Sequence, residues 1–150
     1  MTIREQALQY LQNHHVMTLA TADPAGVWAA ALFYASQEFD IFFLSAAHTR
    51  HAQNVITNPK VSATIQENYT DWTQIKGIQL EGTVIQLHGQ QKQEAINHYL
   101  AHFPFIQNAG QSIEKALAKV SWYCLTPQKL YFIDNSKGFG QREEILLAKK

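Results

Sequence analysis

A chain of 150 residues, 46% hydrophobic and 11% aromatic, has the size and composition of one globular domain that needs neither disulfide nor metal to hold its core. Twelve basic residues balance twelve acidic ones and are scattered along the chain, which argues against nucleic acid as a partner while leaving room for a small anion held by a local cation and backbone donors. No apolar run reaches bilayer length, so no membrane is expected; the charged, glutamine-bearing start lacks the apolar stretch of a signal peptide, and the expected compartment is cytoplasmic.

Thr2-Ile3-Arg4-Glu5 reads as a capping box, and Ile3, Ala7, Tyr10 and Leu11 recur at helical spacing behind it. From Val16 the pattern turns to strands. Val16 to Thr21 and Val27 to Tyr34 flank the turn Asp23-Pro24-Ala25-Gly26 and predict a hairpin, with Trp28, Ala30, Leu32 and Tyr34 on one side. Asp40 to Leu44 is nearly continuous in apolar residues, as in a strand buried on both faces. A short helix from His48 to Ile56 stops before Asn58-Pro59. Strands follow at Val61 to Gln66 and at Ile75 to Leu87, the latter carrying Gly77 and Gly82, where a barrel strand would bend. A helix from Gln91 to Phe103 is broken by Pro104, and the looser segment to Lys119 has room for another. Val120 to Leu125 and Lys129 to Ile133 predict two strands around Thr126-Pro127-Gln128, before a terminal strand from Gln141 to Leu147. Hairpin-joined strands interrupted by helices predict a mainly β (α+β) domain, an antiparallel six- to seven-stranded barrel with flanking helices.

The chemistry concentrates at Leu44-Ser45-Ala46-Ala47-His48-Thr49-Arg50-His51. An apolar strand runs into a loop of small residues, and a helix opens with Thr49 and Arg50. Its free N–H groups, the Thr49 hydroxyl and the Arg50 guanidinium suit a phosphate; a plain cap beside a solvated cation fits the same pattern. His51 shares that loop, either donating to a ligand or facing solvent. His98 and His102 would share one helix face, but no third ligand stands at metal spacing, and they read as structural or surface groups. Cys124 lies in an apolar run and reads as a buried, inert thiol. Gly138-Phe139-Gly140 reads as a bend anchored by Phe139. With no nucleophile elbow, phosphate-loop lysine or carboxylate pair, a cofactor would have to carry any catalysis.

Thr49-Arg50-His51-Ala52-Gln53 followed by Asn58-Pro59-x-Val61, with the Met17-Thr18-Leu19-Ala20-Thr21 strand, resembles the pyridoxamine 5'-phosphate oxidase-like superfamily of FMN-binding split barrels. The ending, Trp122-x-x-Leu125 through Asp134-Asn135-x-x-Gly138-Phe139-Gly140, is similar to its YhbP-like branch. The resemblance implies a homodimer with FMN in grooves between subunits. Thr49 and Arg50 would take the phosphate, with His51 beside them. Leu32, Phe33, Tyr34, Leu44 and Ser45 would run along the flavin and ribityl groups. Lys76 falls beside a contact position, and Arg142 near an arginine that reaches the flavin from the other subunit. The substrate-binding string of the true oxidase is not recognisable near the C-terminus, so vitamin B6 oxidation is not implied. The expectation is an FMN-dependent oxidoreductase acting on a small substrate or electron donor. A non-catalytic flavin sensor or store, and a haem-binding member with His51 or a C-terminal-half histidine on the iron, are the alternatives.

Overall fold

Helix α1 (Ile3–Asn13) begins as its capping box requires: Glu5 N–H donates to Thr2 Oγ1 at 3.1 Å and Thr2 N–H to Glu5 Oε2 at 3.0 Å. Its apolar stripe, Ala7, Tyr10 and Leu11, is buried. In this computed structural model, which describes residues 1–107 and 110–148, the helix lies against one sheet of eight strands. These are β1 (Val16–Asp23), β2 (Gly26–Phe33), β3 (Ala35–Gln37), β4 (Asp40–Ser45), β5 (Lys60–Gln66), β6 (Lys76–Leu87), β7 (Ser121–Asp134) and β8 (Arg142–Glu144). Helices α2 (Arg50–Thr57), α3 (Gly89–His102), α4 (Pro104–Gln107) and α5 (Gln111–Lys119) interrupt them.

The sheet runs β2-β1-β5-β6-β7-β4-β3 with every neighbour antiparallel, and β8 pairs with the second half of β7. Its two end strands, β2 and β3, are consecutive in the chain and separated by Tyr34 alone. One residue therefore stitches the two edges of the sheet together at a corner. Tyr34 is fully buried, its N–H donates to the His15 carbonyl at 2.9 Å, and its hydroxyl donates to the Leu11 carbonyl at 2.6 Å. Away from that corner the barrel stays split. The register of Ala35 with Phe42 carries the end of β4 past β3 and back beside β2, so Leu44 and Ser45 face β2 across the open seam.

The curled face encloses one core built around Leu11, Met17, Leu19, Ile41, Phe43, Ile65, Ile78 and Leu130. A second core lies under α3, where Phe42, Leu87, Trp122 and Cys124 meet Ala95, Tyr99 and Phe103. Strand β4 is buried on both faces because Ile41 and Phe43 enter the first core and Phe42 the second.

The structure departs from the sequence reading in particulars. The two strands predicted on either side of Thr126-Pro127-Gln128 are one continuous strand, β7, because a register shift absorbs the extra residue opposite Glu81 and Gly82. Pro127 is tolerated there since it lies between the stretch of β7 that pairs with β4 and the stretch that pairs with β8. The short strand β3 forms where the sequence pattern shows a polar break, the terminal strand covers Arg142–Glu144 rather than Gln141 to Leu147, and the predicted six to seven strands become eight. Phe139 is not a buried anchor: it is 81% exposed and stands edge-to-face with Trp72, because the turn at Gly138 and Gly140 carries it away from both cores.

Candidate functional site

Leu32 and Phe33 close β2, Leu44 and Ser45 close β4, and Thr49 and Arg50 follow at the start of α2. Thr49 caps α2 and lies outside the helix, with its Oγ1 accepting from Ala52 N–H at 3.3 Å and donating to the Ala46 carbonyl at 2.9 Å. Among the described residues, the N–H groups of Arg50 and His51 meet no acceptor, so the first turn of α2 presents free donors. Arg50 is exposed, and its guanidinium carbon stands 4.7 Å from the centroid of the Trp28 ring, on the neighbouring hairpin. Among the described residues Arg4 pairs with Glu38 and His14 Nε2 lies 3.3 Å from Glu67, and no carboxylate pairs with Arg50.

Behind this front lies a hydrogen-bonded layer. His51 is only 8% exposed, and its Nε2 is 2.6 Å from Ser45 Oγ and 3.3 Å from Thr49 Oγ1. Ser45 Oγ is also 2.9 Å from Thr49 Oγ1. Burial lowers the imidazole pKa below its ordinary value and keeps His51 neutral, able to accept the Ser45 proton. The ring thus faces inward and fixes the two hydroxyls, where the sequence left it between ligand and solvent. Asn54, 2% exposed, fastens the same helix to the hairpin: its oxygen accepts from Thr21 Oγ1 at 2.9 Å, and its nitrogen donates to Asp23 Oδ2 at 3.2 Å and to the Arg50 carbonyl at 3.3 Å.

Three predicted residues sit otherwise. The Tyr34 side chain is committed to the interior, where its hydroxyl donates to the Leu11 carbonyl. Lys76 and Arg142 belong to the other end of the β6–β7 ladder: Leu87 and Trp122 mark the end beside Leu44, whereas Lys76 pairs with Asp134 and Arg142 with Ile133. Arg142 lies over Tyr131, 4.5 Å from its centroid, and donates to Gln79 Oε1 at 3.3 Å, walling a hollow of about 310 Å³ on the outer sheet face with Ser62 and Lys129. A single chain does not bring these two cations to Thr49 and Arg50.

Sequence reasoning passed over Trp28 as Arg50's platform, and also Asn54 and the Ser45–His51 link. The first joins residues far apart in sequence; the last two carried only the weak signal of polar residues on a short helix. Among the described residues no three His, Cys, Asp or Glu side chains gather to hold a metal ion, and no helix is long and apolar enough to cross a membrane. Cys124 is buried in an apolar setting that, with the nearby Asp40 carboxylate, pushes its thiol up to about 11, which makes it a poor nucleophile.

The pyridoxamine 5'-phosphate oxidase family model matches residues 3–134. A UPF0306 protein of Photorhabdus laumondii is 35% identical over 136 residues, covering 89% of each chain. The heme binding protein from Mycobacterium smegmatis superposes with a TM-score of 0.77 at 19% identity; the match covers 97% of this chain and 58% of that one. A putative pyridoxamine 5'-phosphate oxidase from Listeria innocua gives 0.71 at 14% identity, covering 89% of this chain and 99% of that one. These structural likenesses speak for the fold, a split β-barrel, while the family model and the UPF0306 relative span most of the sequence. The chain belongs to the pyridoxamine 5'-phosphate oxidase family.

Proposed function

We propose that the seam holds FMN between two copies of the chain and that the protein is an FMN-dependent oxidoreductase acting on a small substrate. The observation that carries this reading is Arg50: an exposed guanidinium without a carboxylate partner, propped on Trp28 beside the free N–H groups of the α2 start. That combination suits a phosphate dianion. The rest of the seam fits the remainder of the cofactor. Leu32, Phe33 and Leu44 offer an apolar wall for a planar ring, and Ser45 and Thr49 put hydroxyls where a ribityl chain would pass. The flavin, when bound, supplies the electron-accepting ring; the chain binds it, orients it and keeps water from one face.

The second copy answers two further observations. Strand β2 is an edge strand in which no residue is buried, with Val27 81% and Phe33 59% exposed, an apolar surface that a protein ordinarily covers. Lys76 and Arg142, remote from Thr49 within one chain, would complete the site from the partner.

The visible spectrum of the purified protein, with titration calorimetry of FMN, tests the reading. Flavin bands, or binding of one FMN per chain, are expected, and reduction of the bound flavin by NADPH would separate an oxidoreductase from a store. A Soret band would move the protein to the haem-binding side, which the mycobacterial neighbour makes a definite rival. His51 would be a poor iron ligand in that case, because its Nε2 is taken by Ser45. No flavin band and no FMN uptake would overturn the proposal.

A further inference from the structure

The string Asp134-Asn135-x-x-Gly138-Phe139-Gly140 lies away from the seam of its own chain, at the Lys76 end of the β6–β7 ladder. There it builds a braced tip. Asn135 is the hub: its N–H donates to the Ile75 carbonyl at 2.9 Å, its Nδ2 donates to the Trp72 carbonyl at 2.9 Å, and its Oδ1 accepts from Gly140 N–H at 3.3 Å. Asp134 Oδ1 accepts from the N–H and hydroxyl of Ser136, and Asp71 Oδ1 from those of Thr73, so both acids are engaged by the turns they cap. On this scaffold stand two rings, Trp72 at 58% exposure and Phe139 at 81%, edge to face with centroids 5.2 Å apart. Large apolar side chains held out together in one shape mark a contact site.

A second apolar patch lies at the same end of the sheet, on its other side. Phe33, 59% exposed, pairs across the hairpin with Val16, 44% exposed. From there the register runs through Thr18 with Thr64 and Gln66 with Gly77 to Ile133, the residue before Asp134. Four strand spacings of about 4.8 Å separate β2 from β7, about 19 Å in all, so the two patches of one chain do not meet. Between them the outer face carries the small side chains of Thr18, Ala20, Ser62 and Thr64, over which another sheet can lie close. Two unlike patches on one face suit a twofold contact, because each copy offers its tip to the other's Phe33 and both contacts form at once. The three rings, about 150–250 Å² apiece and more than half exposed, leave on the order of 400 Å² of apolar surface per chain, so the paired patches alone cover about 800 Å² of the roughly 1,000 Å² a specific interface needs. We infer that Trp72 and Phe139 of each chain pack on Phe33 and Val16 of a second copy and wall that copy's seam from outside. The inference rests on the two-copy reading above and gives it a contact: Lys76 and Arg142, which pair with Asp134 and Ile133 at the base of the tip, travel with it to the partner's seam.

Sedimentation of the protein over a dilution series, without added FMN, tests the contact. W72A and F139A should each raise the dimer dissociation constant on the order of tenfold or more, as loss of an aromatic anchor does, with the circular dichroism spectrum unchanged because both side chains are exposed in one chain. L146A, which removes an exposed apolar side chain outside both patches, should leave that constant unchanged. A cross-link locates the contact directly: in V16C/K137C, which keeps all three rings, a bismaleimide too short to span one chain should join two chains, and it should join none in either single variant. Calorimetry with FMN separates this contact from the cofactor reading. A dimer that cross-links and takes up no FMN would uphold the contact and overturn the cofactor. A single chain at every concentration, no cross-link, or equal loss in L146A would overturn the contact, and FMN uptake by such a protein would leave the cofactor in place without it.

Discussion

Arg50 owes its availability to what it stacks on. A surface arginine usually spends its charge on a neighbouring carboxylate, but here Asp23, the nearest acid on the hairpin, is engaged by the Asn54 amide, and the guanidinium rests on Trp28. Removing the charge with Arg50→Ala should weaken FMN binding by about 1.5–3 kcal/mol, the scale of a charge-assisted hydrogen bond, with the melting temperature unchanged. Trp28→Ala should cost less, about 0.5–1 kcal/mol, because it removes only the platform. Calorimetry on both variants checks the order; an unchanged dissociation constant in Arg50→Ala would make it a solvated cation. His51 carries a different prediction. Its folded pKa lies below its unfolded value, so both states are neutral above about pH 6.5 and the full stability is present there. Below that pH the unfolded chain takes the proton first, and stability falls by up to about 1.4 kcal/mol per pH unit. Burial shifts His102 in the same direction, so it adds to the slope. His51→Gln should flatten the decline below about pH 6.5 in denaturant titrations, an amide oxygen replacing the ring as Ser45's acceptor without titrating.

At the scale of elements, the long β6–β7 ladder depends on one close approach. A Cβ on Gly82 would sit 2.9 Å from Pro127 Cα and fall inside contact distance of the Thr126 carbonyl, both backbone atoms of the bulge. Gly82→Ala should therefore destabilise the domain by about 1–3 kcal/mol, lowering the melting temperature by about 2–4 °C for each kcal/mol, while FMN affinity holds because the seam lies elsewhere. Thermal melts followed by circular dichroism would show it, and a wild-type melt would mean the bulge can relax. The need for glycine here could be read only as a general permission to bend, since the atoms it avoids come from a strand more than forty residues away. What the sequence made legible was local or periodic. The Thr2–Glu5 box, the β1–β2 hairpin, the doubly buried β4 and the string at Thr49 each announce themselves within a few residues. The stitch at Tyr34, the three-residue β3 and the pairing of Arg50 with Trp28 all depend on the order of strands across the sheet. No short window contains that order.

At the scale of the whole molecule, the distribution of exposed apolar surface and of cations argues for a second copy. Along β2, Val27, Ala29, Ala31 and Phe33 point outward without a charge among them, and the strand's free edge adds unpaired backbone groups. Left uncovered, such a strand invites aggregation; covered by another copy, it brings a second set of side chains to the mouth of the seam. The proposal then couples two measurements that are independent in a self-contained site. Sedimentation should give a mass of two chains. Val27→Asp, which sets a charge against its own image across a twofold contact, should shift the protein toward one chain and weaken FMN binding at the same time, although Phe33, Thr49 and Arg50 are intact in every monomer. If the charge splits the dimer and FMN still binds at full strength, the cofactor belongs to one chain and Lys76 and Arg142 have no part in it. If the unaltered protein is a single chain at every concentration, the exposed face of β2 serves some other contact, and the seam would have to hold its ligand with the residues of one barrel.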